Sequence, residues 1–108
     1  MGLLKPQPGE FKPQAREGAG YTQIFDNERA RAWELTLQAG ETAGVIHQTA
    51  PGMRIALDRG EIAEIVSGAR DRALVLNPGD FYWQDPNATR AVRNTGTTPI
   101  RLIEFELK

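Results

Sequence analysis

Two side chains in this sequence are suited to chemistry: His47, which is the only histidine of the chain, and Arg90. An imidazole can bind a metal or act as a general base, and a guanidinium can grip a carboxylate. His47 lies in the stretch AGVIHQTAPGM, and the chain has no second histidine and no cysteine to complete a site. A first-row divalent metal needs three or four donors, so His47 predicts neither a metal centre nor a catalytic site.

Composition bounds the rest of the interpretation. The chain has 108 residues, 40% hydrophobic and 25% charged, with a net charge of −1. This is typical of one soluble globular domain, and it argues against a nucleic-acid partner. No apolar run reaches the roughly 20 residues of a membrane span, so we expect a cytoplasmic protein without membrane contact.

The elements that must position these side chains are short strands. Residues 1–20 are rich in proline and glycine, and we interpret them as a flexible or partner-contacting arm. From residue 21 onwards, short apolar runs alternate with turns that contain Gly, Asp or Asn. The predicted strands are 21–25, 30–37, 44–48, 53–57, 61–66, 72–76, 81–84, 89–94 and 99–107. Helix should be almost absent, and residues 21–108 should form one all-β sandwich or barrel.

Two stretches carry a family resemblance. GETAGVIHQTAPGMRIALDRG (40–60) and NPGDFYWQDPNATRAVRN (77–94) resemble the two sequence blocks of the cupin superfamily, in its short, single-domain, RmlC-like type. The resemblance implies a jelly-roll β-barrel, also called a double-stranded β-helix. The first block fits from Gly40 to Gly60 without a gap, and the second extends from Gly79 to Asn94.

The positions that hold the metal in this family are substituted here. The two His positions fall on Ile46 and Gln48, the Glu position on Met53, and the His position of the second block on Arg90. The resemblance therefore implies degenerate metal motifs, and we expect neither a metal nor another cofactor. Because side chains alternate along a strand, His47 should point away from the face that Ile46 and Gln48 share.

A ligand site in the barrel is the functional interpretation of these positions. Gln48 and Arg90 would hold the carboxylate or carbonyl of a small molecule, in a pocket with apolar walls. The expected walls are Ile46, Met53, Phe81 and Trp83. In the alternative interpretation, Arg90 pairs with Glu34, Glu104 or Asp85 as a structural ion pair.

Three functions follow from this pattern. The first is a metal-free domain that binds a small, anionic organic molecule without assigned catalysis. The second is a small cupin enzyme of the dioxygenase, isomerase or decarboxylase type in small-molecule catabolism. It would use an unrecognised metal arrangement around His47, or work without metal through Tyr82, Arg90 and Glu104. The third is a structural protein that acts through a partner.

Self-association is also expected. The resemblance implies a homodimer, and the last predicted strand has an apolar face made of Ile103, Phe105 and Leu107. The sequence itself names neither the ligand nor a reaction.

Overall fold

The structure, a computed structural model, describes residues 20–108, which form nine strands in two antiparallel sheets. The strands are β1 (Tyr21–Asp26), β2 (Ala30–Leu37), β3 (Ile46–Gln48), β4 (Gly52–Ala56), β5 (Gly60–Val66), β6 (Arg72–Leu76), β7 (Phe81–Gln84), β8 (Ala88–Asn94) and β9 (Ile100–Leu107). Each predicted strand is found, with ends that differ by two residues or fewer. The described residues contain no helix, so the predicted all-β class is confirmed. The predicted arm spans residues 1–20, of which residues 1–19 lie outside the described part of the chain.

Strands that are distant in sequence become neighbours in both sheets. One sheet has the order β1-β2-β9-β4-β7, and the other has the order β3-β8-β5-β6. The last strand, β9, therefore lies in the centre of its sheet, between β2 and β4. The two sheets face each other as the walls of the expected jelly roll, and they enclose one interior.

This interior has an apolar half and a polar half. Leu102 of β9 lies opposite Leu35 of β2 and Ala56 of β4, whereas Glu104, two residues further along β9, lies opposite Arg54. The apolar half contains Leu35, Leu37, Ala43, Ala56, Ile62, Leu76, Val92, Ile100 and Leu102. Each fully buried leucine or isoleucine contributes about 1.5–3 kcal/mol to stability, so this half supplies the hydrophobic core. The predicted site residues that face the interior lie in the polar half.

Beside the polar half, three adjacent strands, β9, β4 and β7, carry polar side chains on their inner face and apolar ones on their outer face. In β4, Arg54 is 3% exposed and faces the interior, while Met53 and Ile55 are half-buried on the outer face. The prediction that Met53 lines the interior is therefore wrong. The reason is the pairing with β9, which places Arg54 opposite Glu104 and so lets the buried charge find a partner.

A tight turn connects β6 of the four-stranded sheet to β7 of the five-stranded sheet. In the turn Asn77–Asp80, the Asp80 N–H donates to the Asn77 carbonyl at 2.9 Å, and Gly79 has φ +90°. Proline at the second position and a glycine with positive φ at the third are the signature of a type II turn. The NPGD stretch thus has a structural role in aligning the strand that carries Tyr82 and Trp83.

Among residues 20–108 there is no helix with the length and hydrophobicity of a membrane span.

Candidate functional site

β3 turns two of the predicted site residues inward. Ile46 and Gln48 are buried, and His47 between them is exposed with its Nδ1 3.0 Å from the Thr89 hydroxyl. The predicted orientation of His47, away from the interior, is confirmed. Gln48 uses its side-chain amide locally, because its Nε2 donates to the carbonyl of Ala50 at 2.9 Å.

Arg54, which the sequence interpretation missed, lies at the centre of the polar half. Its Nε and Nη2 donate to Glu104 Oε2 at 3.0 and 2.7 Å, and its Nη1 donates to Glu64 and to the Tyr82 hydroxyl. Burial opposes the charged form of Arg54, but Glu104, Tyr82 and Glu64 outweigh it and raise the pKa of Arg54 well above its usual value. The guanidinium is therefore a permanent buried cation.

Glu64 connects this network to Arg90. Its Oε1 accepts from Arg54 and from the Tyr82 hydroxyl, and its Oε2 accepts from Arg90 Nη1 at 3.2 Å and from Gln84 Nε2 at 3.3 Å. Arg90 also donates through Nη2 to the backbone carbonyl of Asp85. The structure thus pairs Arg90 with Glu64, a carboxylate that was not among the three partners expected from the sequence.

Tyr82 is held as a neutral hydroxyl inside this network. It accepts a hydrogen bond from Arg54 and donates one to Glu64 at 3.0 Å. Burial raises the pKa of Tyr82 well above its usual value; Arg54 opposes this rise and Glu64 adds to it. At neutral pH the hydroxyl keeps its proton and acts as a fixed hydrogen-bonding group.

The polar half does not fit a divalent metal. Within the described part of the chain, no three His, Cys, Asp or Glu side chains converge as metal ligands. The guanidiniums of Arg54 and Arg90 lie in the polar half. Of the buried carboxylates there, Glu64 and Glu104 already bind Arg54, and Glu106 pairs with Arg31. A divalent metal ion placed here would be repelled by the positive charges of these two guanidiniums.

The barrel interior has no room for an organic ligand. Ile46, Gln48, Arg54, Arg90 and Glu104 surround a cavity of about 10 Å³. A volume of roughly 10–15 Å³ accommodates one water molecule. The structure therefore brings three of the predicted site residues together, Ile46, Gln48 and Arg90, but around a filled interior.

A larger cavity opens at the barrel mouth, and Arg90 lines this cavity as well. Its volume is about 310 Å³, and we call it the mouth cavity. Its lining residues are Glu64, Val66, Ala69, Arg70, Arg72, Tyr82, Trp83, Asp85, Ala88 and Arg90. They come from β5, the β5–β6 hairpin and β8 of one sheet, from β7 of the other, and from the β7–β8 connection, so both sheets shape the cavity.

The remaining predicted site residues divide between the mouth cavity and the outer face. Trp83 is 55% exposed and lines the mouth cavity, whereas the sequence interpretation placed it in the wall of a pocket inside the barrel. Phe81 is 67% exposed and borders a neighbouring open groove that Arg72 and Tyr82 also line. Met53 lies on the outer face, opposite Trp83 in the pairing of β4 with β7.

One sequence signal could have identified the polar half. Glu64 is in phase with Ile62 in β5, Glu104 and Glu106 are in phase with Leu102 in β9, and Arg90 is in phase with Val92 in β8, so each of these charges falls on the buried face of its strand. Charges of both signs at such positions predict buried pairs. The arginines of the mouth cavity, Arg70 and Arg72, carry no comparable signal because they lie in and beside a turn.

Comparison with known proteins supports the fold. No protein-family model and no curated protein sequence matches this chain. A cupin domain from Bordetella pertussis Tohama I is similar with a TM-score of 0.74 and 22% identity, over 88% of this chain and 98% of that one.

Two further solved structures extend this finding. An RmlC-like cupin from Methanocaldococcus jannaschii with a double-stranded β-helix fold has a TM-score of 0.71 and 14% identity, over 91% of this chain and 86% of that one. An RmlC-like cupin from Shewanella frigidimarina has a TM-score of 0.64 and 20% identity, over 92% of this chain and 86% of that one. The resemblance to cupins is therefore confirmed at the level of the fold.

Proposed function

We propose that this chain, which has the cupin jelly-roll fold, is a binding module for a small organic anion held in the mouth cavity. The observation that carries the proposal is an open cavity of about 310 Å³ lined by three arginines and two aromatic residues. Small-molecule sites are usually concave, partly apolar and equipped with a few polar groups, at volumes of roughly 300–1,000 Å³.

The charges of the mouth cavity favour an anion. Arg70, Arg72 and Arg90 face two carboxylates, those of Glu64 and Asp85. Glu64 is bound by Arg90 and by Arg54, so its charge is compensated inside the protein. Arg70 and Arg72 form no ion pair with any of residues 20–108. The cavity therefore presents an excess of positive charge to a ligand.

Arg90, which lines the mouth cavity, carries one buried donor without a partner among the described residues. The side chain is 9% exposed, and its buried Nε has no hydrogen-bond partner among the described residues. A buried donor without a partner costs about 1–3 kcal/mol, which a ligand or water oxygen can recover. A carboxylate is the group whose geometry matches a guanidinium edge.

The aromatic walls favour a ligand with an apolar body. The guanidinium of Arg72 lies 5.7 Å from the centre of the Tyr82 ring, which holds it over the aromatic face beside the cavity. Trp83 is a second aromatic residue of the cavity lining, and it is 55% exposed. The proposed ligand is therefore a carboxylate with a planar or otherwise apolar body, and the proposal assigns no reaction to the site.

Calorimetric titration with benzoate tests this proposal, with benzamide as the neutral analogue of the same shape. We expect benzoate to bind in the millimolar range or more tightly, and benzamide to bind at least about tenfold more weakly because it lacks the charge. Arg72→Gln should weaken benzoate binding about tenfold for the same reason.

Arg101→Gln is the matched control, because Arg101 is an exposed arginine of the other sheet that pairs with Asp58. It should leave benzoate affinity unchanged. Absence of benzoate binding at tens of millimolar, or equal affinity for benzoate and benzamide, would contradict the proposal.

A further inference from the structure

Two strands at the edges of different sheets, β6 and β7, border the same open groove. Within residues 20–108 the orders of the two sheets end at β1 and β7 and at β3 and β6. The groove has a volume of about 290 Å³, and its walls include Arg72, Leu74 and Leu76 of β6 and Phe81 and Tyr82 of β7. Because three alternate residues of β6 line it, the groove follows this strand along its whole length. We call it the edge groove.

The outer edge of β6 presents backbone groups that no described strand pairs with. In an antiparallel ladder, alternate residues bond to opposite neighbours. The Glu61 carbonyl in β5 accepts from Thr95 N–H at 3.0 Å, on the side of β8, so Glu61 does not bond to Val75, its partner in the pairing with β6. By the same alternation, Ala73 and Val75 direct their N–H and C=O groups away from β5. Each of these two residues offers one donor and one acceptor to the open side.

This edge lacks the features that usually protect an edge strand from pairing, which are shortness, bulges, proline and charge. By contrast, β1 has a register shift between Gln23 and Phe25, and β3 has only three residues. β6 has five residues in regular pairing with β5, and its one charged residue is Arg72 at its start. Val75 is 64% exposed. The edge of β6 is therefore suited to pairing with another chain.

The edge groove leads into the mouth cavity. Arg72 and Tyr82 line both, and β6 begins at Arg72 and ends beside the turn Asn77–Asp80. Arg70 also lines the cavity, and neither it nor Arg72 forms an ion pair with any of residues 20–108. Asp80 lines the groove at its other end. The charge along the groove thus changes from negative at the turn to positive at the cavity.

We propose that the mouth cavity and the edge groove together bind the carboxyl-terminal residues of an extended peptide, which adds to the edge of β6 as an antiparallel strand. This inference rests on the proposed function, because the terminal carboxylate is the anion of the mouth cavity. An antiparallel strand runs opposite to β6 and ends at its first residue, where the carboxylate meets the guanidiniums of Arg70 and Arg72. A parallel strand would bring a positively charged amino terminus to the same arginines.

The walls of the edge groove favour apolar side chains at alternate positions of the peptide. Side chains of an added strand point alternately to the two faces of its sheet. Those on the inner side lie beside Leu74 and Leu76, with Tyr82 on the opposite wall. The expected ligand therefore has an apolar last residue and a second apolar residue two positions before it.

Calorimetric titration with the peptide acetyl-Ser-Thr-Val-Thr-Phe tests this inference. We expect the peptide to bind at least about tenfold more tightly than acetyl-phenylalanine, because backbone hydrogen bonds to Ala73 and Val75 add to the carboxylate contact. The same peptide with a carboxyl-terminal amide should bind about tenfold more weakly than the free acid. Peptide binding no tighter than that of acetyl-phenylalanine, or equal affinity for acid and amide, would overturn the inference.

Val75→Pro tests the role of the β6 edge. Proline at an edge position removes the N–H that faces the open side and leaves the bonds to β5 in place. Peptide affinity should fall to about that of acetyl-phenylalanine, while benzoate affinity stays that of the wild type, since Val75 does not line the mouth cavity. Val75→Thr is the matched control, because it keeps the N–H and nearly the same shape, and it should bind the peptide like the wild type.

Methylation of the peptide's amide nitrogens, one at a time, probes the same contact without a change in the protein. Only alternate amides of an added strand face β6, so methylation of every second nitrogen should abolish the gain over acetyl-phenylalanine. An effect that does not alternate, or no effect at all, would overturn the pairing with β6.

The outcomes separate this inference from the proposed function. If benzoate binds and the peptide gains nothing over acetyl-phenylalanine, the inference fails alone. If neither benzoate nor the peptide binds, the proposed function fails with it. A wild type that sediments with a larger mass than Val75→Pro would assign the edge of β6 to a second copy of the chain, and this result would also overturn the inference.

Discussion

Arg54 is the residue on which the polar half of the barrel depends. It contacts two buried carboxylates, Glu64 and Glu104, and also the Tyr82 hydroxyl. Two carboxylates so close together would repel each other and would lose hydration without compensation if this guanidinium were absent. The network satisfies the charges that the interior contains, and its value for stability lies in the penalty that would follow its disruption.

Arg54→Met tests this role, because methionine keeps much of the length of the side chain and removes its charge. We expect the free energy of unfolding to fall by about 3–5 kcal/mol, the usual cost of removing one partner from a buried ion pair. Urea denaturation monitored by circular dichroism measures the change. Arg101→Met removes an arginine from an exposed pair and should leave the midpoint close to that of the wild type. A similar, small shift in both variants would contradict the central role of Arg54.

Tyr82 gives the stability of the protein a specific pH dependence. Its pKa is raised in the folded state, while in the unfolded chain it returns to its ordinary value of 10.0. Above about pH 10 the unfolded state therefore releases a proton that the folded state keeps, and the free energy of unfolding falls.

Tyr82→Phe removes this dependence. The difference in unfolding free energy between the wild type and this variant should be constant below about pH 9. It should then shrink by up to about 1.4 kcal/mol for each pH unit above 10. Urea titrations at a series of pH values give this difference, and parallel curves for the two proteins up to about pH 11 would show that the Tyr82 hydroxyl is not buried as described.

For single residues, the sequence predicted the orientation of the β3 side chains but not the residue at the centre of the buried ion-pair network. Ile46, His47 and Gln48 have the expected orientations because a strand alternates strictly and the family frame fixed its phase. Arg54 was missed because an arginine next to Met53 and Ile55 resembles the exposed side of an ordinary amphipathic strand. Only the pairing of β4 with β9 shows that its partner, Glu104, lies inside.

At the scale of elements, β4 illustrates how close the strands and side chains of the polar half lie. A Cβ at Gly52 would lie 2.4 Å from the carbonyl oxygen of Phe105 in β9 and 2.9 Å from Gln48 Nε2. The first of these atoms is backbone and cannot move away without disturbing the pairing of β4 with β9. Glycine at position 52 is thus required by the approach of another strand.

Gly52→Ala should therefore destabilise the protein by about 1–3 kcal/mol, the usual cost of overpacking a buried site. Thermal unfolding monitored by circular dichroism measures it. Gly44→Ala is the matched control, since a Cβ at Gly44 meets no atom within 4 Å, and we expect that change to be neutral or slightly stabilising. Equal melting temperatures for both variants would contradict the close packing at Gly52.

The strands themselves were predictable, whereas the direction of their faces was not. Turn residues such as Gly79 end the apolar runs clearly, so all nine strands could be placed from the sequence. Along the polar half, however, the inner positions of β4, β7 and β9 hold paired charges and amides, so the apolar residues next to them point outward. A rule that assigns apolar residues to the interior inverts these strands, and Met53 was misplaced for this reason.

At the scale of the whole molecule, polarity is distributed differently from that of an ordinary small β-barrel. One half of the interior is a hydrophobic core, the other half is a set of paired charges, and part of the outer surface is apolar. The ion-paired half fills the place where the family resemblance put a ligand. The only sizeable opening associated with Arg90 in the described structure is consequently the mouth cavity.

This distribution also explains where the expected walls of an interior pocket lie. Met53 and Phe81 fall on the outer face of the five-stranded sheet, because the inner positions beside them in β4 and β7 hold Arg54 and Tyr82.

The central claim is that the ligand site lies at the mouth of the barrel and not inside it. A crystal structure of the wild-type protein soaked in benzoate tests this claim most directly. We predict density for the carboxylate between Arg72 and Arg90, with the ring beside Trp83 and the ion pairs of Arg54 intact. Density for benzoate inside the barrel between Gln48 and Arg90, with Arg90 separated from Glu64, would contradict it.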